Sequence, residues 1–266
     1  MTVGERRARF RELHAAEGIF VMPNAWDEGS ARLLAWSGFD AIATTSAGFA
    51  WTLGRNDQNV TRDELVTHVE RLSAVTDLPL SVDSERLFAP DPAGVAETVR
   101  LLAAAGAAGC SIEDYDPATG RIDPVEVAAE RVAAAAAAAR EGEPMVLTAR
   151  SENHLHGVDD LDDTIARLVA YETAGADAVY APGLTDPADI RAVVTAVGVP
   201  VNVLALPDTP PVAELGDLGV RRVSTGSLLA SAAYGALLAG ARELRTQGSS
   251  DYARAGLPRD VRTAAF

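Results

Sequence analysis

Residues 78–85 read Leu-Pro-Leu-Ser-Val-Asp-Ser-Glu, and the two acids ending this run are the first candidates for chemistry. Residues 78–82 form a short apolar run around a proline, which predicts a buried strand closed by Asp83. If the backbone stays extended beyond it, the two-residue period puts Asp83 and Glu85 on one face. Two hard oxygen donors at a strand exit suit Mg²⁺, which takes one or two carboxylates and leaves the rest of its shell to water and substrate. The plain alternative is that Asp83 caps the next helix and Glu85 is solvated loop.

The elements around this run decide between the two. Short Val/Ile/Ala-rich stretches at 19–22, 40–45, 78–82, 108–112, 145–149, 177–181, 199–204 and 220–223 read as strands. Helical patterns fill 5–17, 28–37, 91–105, 123–140, 160–174, 186–197 and 228–246, and another opens at Thr61, with Glu64 completing a capping box. Eight strands alternating with helices, with no break in composition, predict an α/β fold: one (β/α)₈ TIM barrel over 1–247, with an N-terminal lead-in helix and an extra C-terminal helix. Residues 248–266 read as a polar C-terminal tail. A doubly wound open sheet is the second choice, and no glycine-rich dinucleotide fingerprint follows the first strand to support it. In a barrel the active site lies at the C-terminal strand ends. Those ends carry Ser46, Asp83 with Glu85, Glu113, Arg150 and Asn202, so five of eight strands aim a polar group at one place. That favours a converged site over scattered caps. The run Ser46-Ala47-Gly48 adds small residues whose backbone N–H groups can face a ligand.

Composition removes several classes. The net charge of −15 argues against a nucleic-acid or anionic-membrane partner. All 23 basic residues are arginine, so no lysine is available for Schiff-base chemistry, whereas arginine suits bidentate grip on carboxylate or phosphate. The single Cys110 excludes an internal disulfide and, inside a strand, reads as a structural thiol. No apolar run approaches a membrane span, and the charged first dozen residues lack a signal-peptide core. We therefore expect a cytoplasmic enzyme with a small-molecule substrate.

Several stretches together carry a family likeness: Pro-Asn-Ala-Trp-Asp at 23–27, Thr-Thr-Ser-Ala-Gly at 44–48, Gly54 to Asp57, Asp83-Ser-Glu85, Ile-Glu-Asp at 112–114, Thr-Ala-Arg at 148–150, Ala-Gly-Ala-Asp at 174–177, Pro-Val-Asn at 200–202 and Arg-Val-Ser-Thr-Gly at 222–226. In this order, from about residue 10 to 245, the chain resembles the isocitrate lyase/phosphoenolpyruvate mutase superfamily. The resemblance implies a (β/α)₈ barrel, Mg²⁺ (or Mn²⁺), and a carboxylate substrate held as a 2-oxo acid or enolate beside the ion. It also implies a homo-oligomer, a tetramer built as a dimer of dimers that exchanges its C-terminal helix. Residue by residue, Ser46 and Ala47 would offer backbone N–H groups to the substrate carboxylate. Asp83, Glu85, Asp57 and Glu113 would hold or surround the metal. Arg150 would grip the enolate or carboxylate oxygen, and Asn202 the far carboxylate. Glu85 stands where an Asp is common in the family.

The lid differs from the named lyases. After Glu113 it reads Asp-Tyr-Asp-Pro-Ala-Thr-Gly-Arg-Ile-Asp, without the Lys-Lys-Cys-Gly-His run of isocitrate and methylisocitrate lyases. Tyr115, Thr119 and Arg121 in the lid, and Tyr180 and His156 near other strand ends, remain to move protons. Tyr180 reads chiefly as packing across the barrel mouth, His154 and His156 as loop residues, and His14 and His68 as surface or packing residues. Trp26, Trp36 and Trp51 read as core or wall. The preferred function is a Mg²⁺-dependent lyase cleaving a C–C bond of a small 2-oxo or 2-hydroxy di- or tricarboxylate such as oxaloacetate or a substituted malate. Glu113, Arg150 and Tyr115 are its catalytic candidates, and isocitrate is expected to be a poor substrate. The alternatives are a P–C enzyme, either phosphoenolpyruvate mutase-like or phosphonopyruvate hydrolase-like, and a non-catalytic carboxylate-binding barrel.

Overall fold

Short runs of Val, Ile, Leu and Ala cannot bury themselves singly, and here they assemble edge to edge. A computed structural model describes the chain from Met1 to Phe266. It begins with α1 (Val3–Ala15), β1 (Phe20–Met22), β2 (Asn24–Ala25), α2 (Glu28–Trp36), β3 (Ile42–Thr44), α3 (Ser46–Thr52), α4 (Arg62–Val75) and β4 (Leu80–Val82). The middle comprises α5 (Pro92–Ala104), β5 (Gly109–Glu113), the hairpin strands β6 (Tyr115–Asp116) and β7 (Arg121–Ile122), α6 (Val125–Ala139) and β8 (Val146–Arg150). The last part holds α7 (Leu161–Thr173), β9 (Ala178–Tyr180), α8 (Pro187–Ala196), β10 (Val201–Leu204), α9 (Val212–Asp217), β11 (Arg222–Ser224), α10 (Leu228–Gln247) and α11 (Arg259–Ala265).

The main sheet runs β1–β11–β10–β9–β8–β5–β4–β3–β2. Its two end strands are consecutive in the chain, separated only by Pro23. Proline has no N–H to give to a ladder, but the Pro23 carbonyl accepts from Ala43 at 2.9 Å. One stave thus breaks at the proline and joins both edges. The eight expected staves are present, the first in two pieces, and the fold is the expected α/β barrel.

Register decides what meets inside. Glu113 is level with Arg150, Arg150 with Tyr180, Tyr180 with Asn202, and Asn202 with Arg222. Level residues on parallel neighbours share a face, so these five make one row around the lumen. At the N-terminal end α1 closes the lumen, with Phe10 packed against Met22, Ala41, Ala43, Ala108 and Val146. Phe10 Cε1 lies 2.7 Å from where a Cβ on Gly109 would stand, so β5 needs glycine there. Burying that ring is worth roughly 1.5–3 kcal/mol. The larger cluster, 39 buried residues, includes the outward faces of the strands and the helices packed on them. The sheet–helix layer therefore carries most of the core, and the upper lumen is free for polar groups.

Several stretches depart from expectation. A helix not expected from the sequence, α3, follows β3: Ser46-Ala47-Gly48 is its first turn, where Thr45 Oγ1 accepts from the Gly48 N–H at 3.3 Å. The backbone beyond Val82 does not stay extended: Glu85, Leu87 and Phe88 have φ of 48°, 59° and 55°. Arg131 Nη2 holds this left-handed loop through the carbonyls of Arg86 and Ala89 at 2.8 and 2.9 Å. The short helix α9 has no counterpart in the sequence reading. The polar tail is structured: a 3₁₀ turn at Asp251–Ala255 is pinned to Glu243 through the N–H groups of Asp251 and Tyr252, and α11 packs against α2. Trp36, expected in core or wall, is 49% exposed.

Candidate active site

At the C-terminal mouth β8 delivers Arg150, and three acids surround it. Its Nη1 lies 2.8 Å from both Asp83 Oδ1 and Glu113 Oε1, and its Nε donates to Glu152 Oε1 at 2.7 Å. Asp83 extends from β4, and its other oxygen accepts the Ser46 N–H at 2.8 Å. Glu152 is fixed in turn: its N–H donates to Asp114 Oδ1 at 2.8 Å, and Asp114 Oδ2 accepts from Tyr171 Oη at 2.6 Å. The Arg150 guanidinium lies over the Tyr180 ring, 5.2 Å from its centroid. Five donor directions exist on a guanidinium, and the protein uses those on Nε and Nη1; Nη2 makes no hydrogen bond to protein.

Negative charge exceeds positive here. Burial pushes Glu85 up to about 8, with Asp83 and Asp57 adding to the shift. Glu113 is raised well above the ordinary carboxyl value by burial, against the pull of Arg150, and Glu152 is raised for the same reason. The Asp57 residue is exposed, yet its carboxyl faces the crowded mouth and is raised, by desolvation first and Asp83 second. Burial disfavours the charge on Arg150, but Glu113, Glu152 and Asp83 outweigh it and hold the guanidinium protonated.

A divalent cation fits this donor set. The groups are all hard oxygens, and Glu85 Oε1 is buried without any hydrogen-bond partner. No three His, Cys, Asp or Glu side chains form a ready-made cage, and Mg²⁺ needs only one or two carboxylates.

The mouth opens into a cavity of about 170 Å³ lined by Ser46, Ala47, Asp57, Asp83, Arg150 and Asn202 among others, a space for a small organic acid. Six expected site residues thus meet. The Ser46 N–H is taken by Asp83; that of Ala47, in the first turn of α3, has no acceptor within its own helix. Glu85 and Glu113 stand behind the lining, within electrostatic reach of Asp83. Tyr115 lies in the lid hairpin, as expected, but there it stacks on His156 with ring centroids 3.6 Å apart and does not line the cavity. Tyr180, expected as packing, is buried and also lines the cavity. Asn202 sends Nδ2 to Ser224 Oγ at 2.8 Å and accepts at Oδ1 from Arg222 Nε at 2.9 Å. Glu152 and Arg222 had no role in the sequence reading. The available signals were an acid two residues after a strand-end arginine, and an arginine leading into a Val-Ser strand.

A closed parallel barrel presenting carboxylates and a guanidinium to a small cavity at its C-terminal mouth is the working end of a (β/α)₈-barrel enzyme. The family model for phosphoenolpyruvate phosphomutase matches residues 10–245. The chain belongs to that family, within the isocitrate lyase/phosphoenolpyruvate mutase superfamily. A crystal structure from Burkholderia cenocepacia J2315, provisionally described as a lyase/mutase, is 50% identical, with a TM-score of 0.94 over 98% of this chain and 95% of that one. A Corynebacterium glutamicum protein provisionally described as 2-methylisocitrate lyase 2 is 32% identical over 96% of this chain and 83% of its own. An oxaloacetate decarboxylase from Paraburkholderia xenovorans is 34% identical over 84% of this chain and 75% of its own.

Proposed function

We propose that this protein, a carbon–carbon lyase of the superfamily, acts on a small dicarboxylic 2-oxo acid, with oxaloacetate as its model substrate. The observation that carries this is Arg150: three carboxylates hold it rigid, while Nη2, on a side chain lining the cavity, is left for a substrate oxygen. Asp83, Glu85, Asp57 and Glu113 would hold Mg²⁺, or Mn²⁺ in its place. That ion supplies Lewis-acid polarisation of the oxo group.

The protein's own groups do the rest. The Ala47 N–H receives the carboxylate beside the oxo group. As the C3–C4 bond of oxaloacetate breaks, CO₂ departs and the bonding pair moves onto the C2 oxygen as an enolate. Arg150 Nη2 is placed to stabilise that charge, and its bonds to Asp83, Glu113 and Glu152 mean that little reorganisation is needed. The proton then returned to C3 comes from water or from Tyr180, whose phenol burial pushes up to about 12 and keeps protonated. The Asn202 amide faces the far carboxylate.

A P–C bond reaction is the second reading, favoured by the description of the matched family. The lid segment 114–123 contains neither Asn nor Ser with which to shield a phosphoryl group. The decisive experiment assays pyruvate and phosphate release over oxaloacetate, phosphonopyruvate, isocitrate, methylisocitrate and dimethylmalate. Pyruvate without phosphate, best from oxaloacetate, supports the first reading; phosphate release overturns it. The exposed Leu237 and Leu238 on α10, 64% and 65% accessible, fit a homo-oligomer in which a second copy covers that helix.

A further inference from the structure

Arg222 is the second guanidinium inside the lumen, and its surroundings are the reverse of those of Arg150. It is 3% exposed and sits at the start of β11, level with Asn202. Nε donates to Asn202 Oδ1 at 2.9 Å, Nη2 to Thr148 Oγ1 at 3.0 Å, and Nη1 lies 3.0 Å from His14 Nε2. All three partners are neutral. His14 is kept so by burial and by Arg222 itself, which hold it down at about 3, and its Nδ1 lies 2.8 Å from the Phe10 carbonyl. No carboxylate pairs with Arg222, whereas Arg150 has three. A buried cation without a counter-charge is costly to keep, and this one lines the cavity.

The second observation is the orientation of Asn202. A guanidinium only donates, so its contact fixes which end of the amide is oxygen. Oδ1 is turned to Arg222, and Nδ2 gives one N–H to Ser224 Oγ at 2.8 Å, leaving a second for a ligand. An amide flipped the other way would present an acceptor and repel a carboxylate.

We propose that Arg222 is a positioning residue that makes the site selective for dianionic substrates: it holds Asn202 donor-outward and places an unneutralised positive charge beneath the substrate's far carboxylate. This rests on the dicarboxylate reading above and adds the residue that sets the preference. A monocarboxylate such as pyruvate fills the oxo-acid end alone and gains little from Arg222.

The test compares wild type with Arg222→Met and Arg222→Lys in saturating Mg²⁺. Calorimetry measures malonate and pyruvate binding, kinetics give KM and kcat for oxaloacetate, and thermal melts report the fold. In Arg222→Met, malonate binding weakens at least tenfold, pyruvate binding changes less than threefold, and KM rises more than kcat falls. Arg222→Lys keeps the charge without the Nε donor and recovers part of the malonate preference. Equal loss for both ligands alongside a lowered melting temperature, or no loss for either, overturns the proposal. If Arg222→Met does not fold, Arg222→Lys decides: an unchanged preference for malonate and an unchanged KM overturn it. A wild type that prefers malonate to pyruvate yet cleaves no substrate would refute the lyase reading while leaving Arg222 in this role.

Discussion

Replacing Arg150 with methionine removes the one cation shared by Asp83, Glu113 and Glu152, at distances of 2.7–2.8 Å. All four side chains are largely buried, so the ion pairs are not surface pairs of negligible worth. Breaking a buried pair by deleting one partner costs about 3–5 kcal/mol. The loss does not triple, because the abandoned carboxyls can take up protons. Glu113 and Glu152 are already raised by burial, and Arg150 is what holds them down. Without it both move higher. A carboxyl whose folded value exceeds its unfolded value binds more protons when folded, so stability falls as pH rises above the ordinary carboxylate range. The Arg150→Met penalty should therefore be small near pH 5 and full near pH 8. For a chain of this size each kcal/mol shifts Tm by about 2–4 °C, so Tm should drop by roughly 6–20 °C at the higher pH. Activity should fall by about 10²–10³ or more, the range for losing one preorganised charge donor. Melts in EDTA across pH 5–8 and a coupled assay of pyruvate release measure both. Arg150→Lys keeps a charge but not the fork, and should recover part of the Tm with little of the rate. A variant retaining more than a tenth of wild-type kcat, or a Tm penalty that grows toward pH 5, would refute this account.

Four further outcomes are expected. Asp83→Ala should lose Mg²⁺ binding and activity while its circular dichroism stays native; a metal-replete, active variant would remove Asp83 from the site. Cys110→Ser should keep most of its activity, since the thiol is fully buried on the outward face of β5 and burial pushes it up to about 12; inactivation without unfolding would contradict that. Leu237→Glu together with Leu238→Glu should shift the protein to a smaller species by light scattering, and an unchanged mass would argue against α10 as an interface. Tyr115→Phe should alter kcat less than threefold and Tyr180→Phe by tenfold or more, with oxaloacetate cleaved at least 10²-fold better than isocitrate; the opposite ordering of the two tyrosines would return the lid to the chemistry.

The barrel was legible because alternating apolar and amphipathic stretches state it locally, strand by strand. The sharing of the site was not. Asp83 was readable as a strand-end carboxylate, but its capture of both the Ser46 N–H and Arg150 depends on how adjacent staves line up. The assumed extension to Glu85 failed because a loop pinned by Arg131, 45 positions from Arg86, overrides local preference. Arg222, quoted only as part of the 222–226 run, had no role assigned for a related reason. An arginine in a strand looks like a surface residue until register sets it level with Asn202. Tyr115 was readable as a lid residue, but the direction of its ring was not: the β6–β7 pairing and the stack on His156 set it.

That stacking bears on which bonds the site can break. A thiol-bearing lid serves lyases whose leaving fragment is a carbanion that must be protonated as it departs. Here the lid is a short hairpin tied down at its end: Asp123 accepts from Arg86 at 2.6 Å through its carboxylate and from Arg167 at 2.8 Å through its carbonyl. Its one aromatic acid is stacked away from the cavity. A placed general acid is worth roughly 10²–10⁴-fold, and a reaction that depends on one is slowed by that factor. Decarboxylation would be exempt on the leaving side, because CO₂ departs neutral and the electron pair stays with the fragment that the proposed mechanism assigns to Arg150. Under that mechanism the enolate would persist until a proton arrives, from water or from the Tyr180 hydroxyl on the barrel wall. With a divalent cation seated among its carboxylates, the mouth would suit a reaction whose difficulty is holding an enolate.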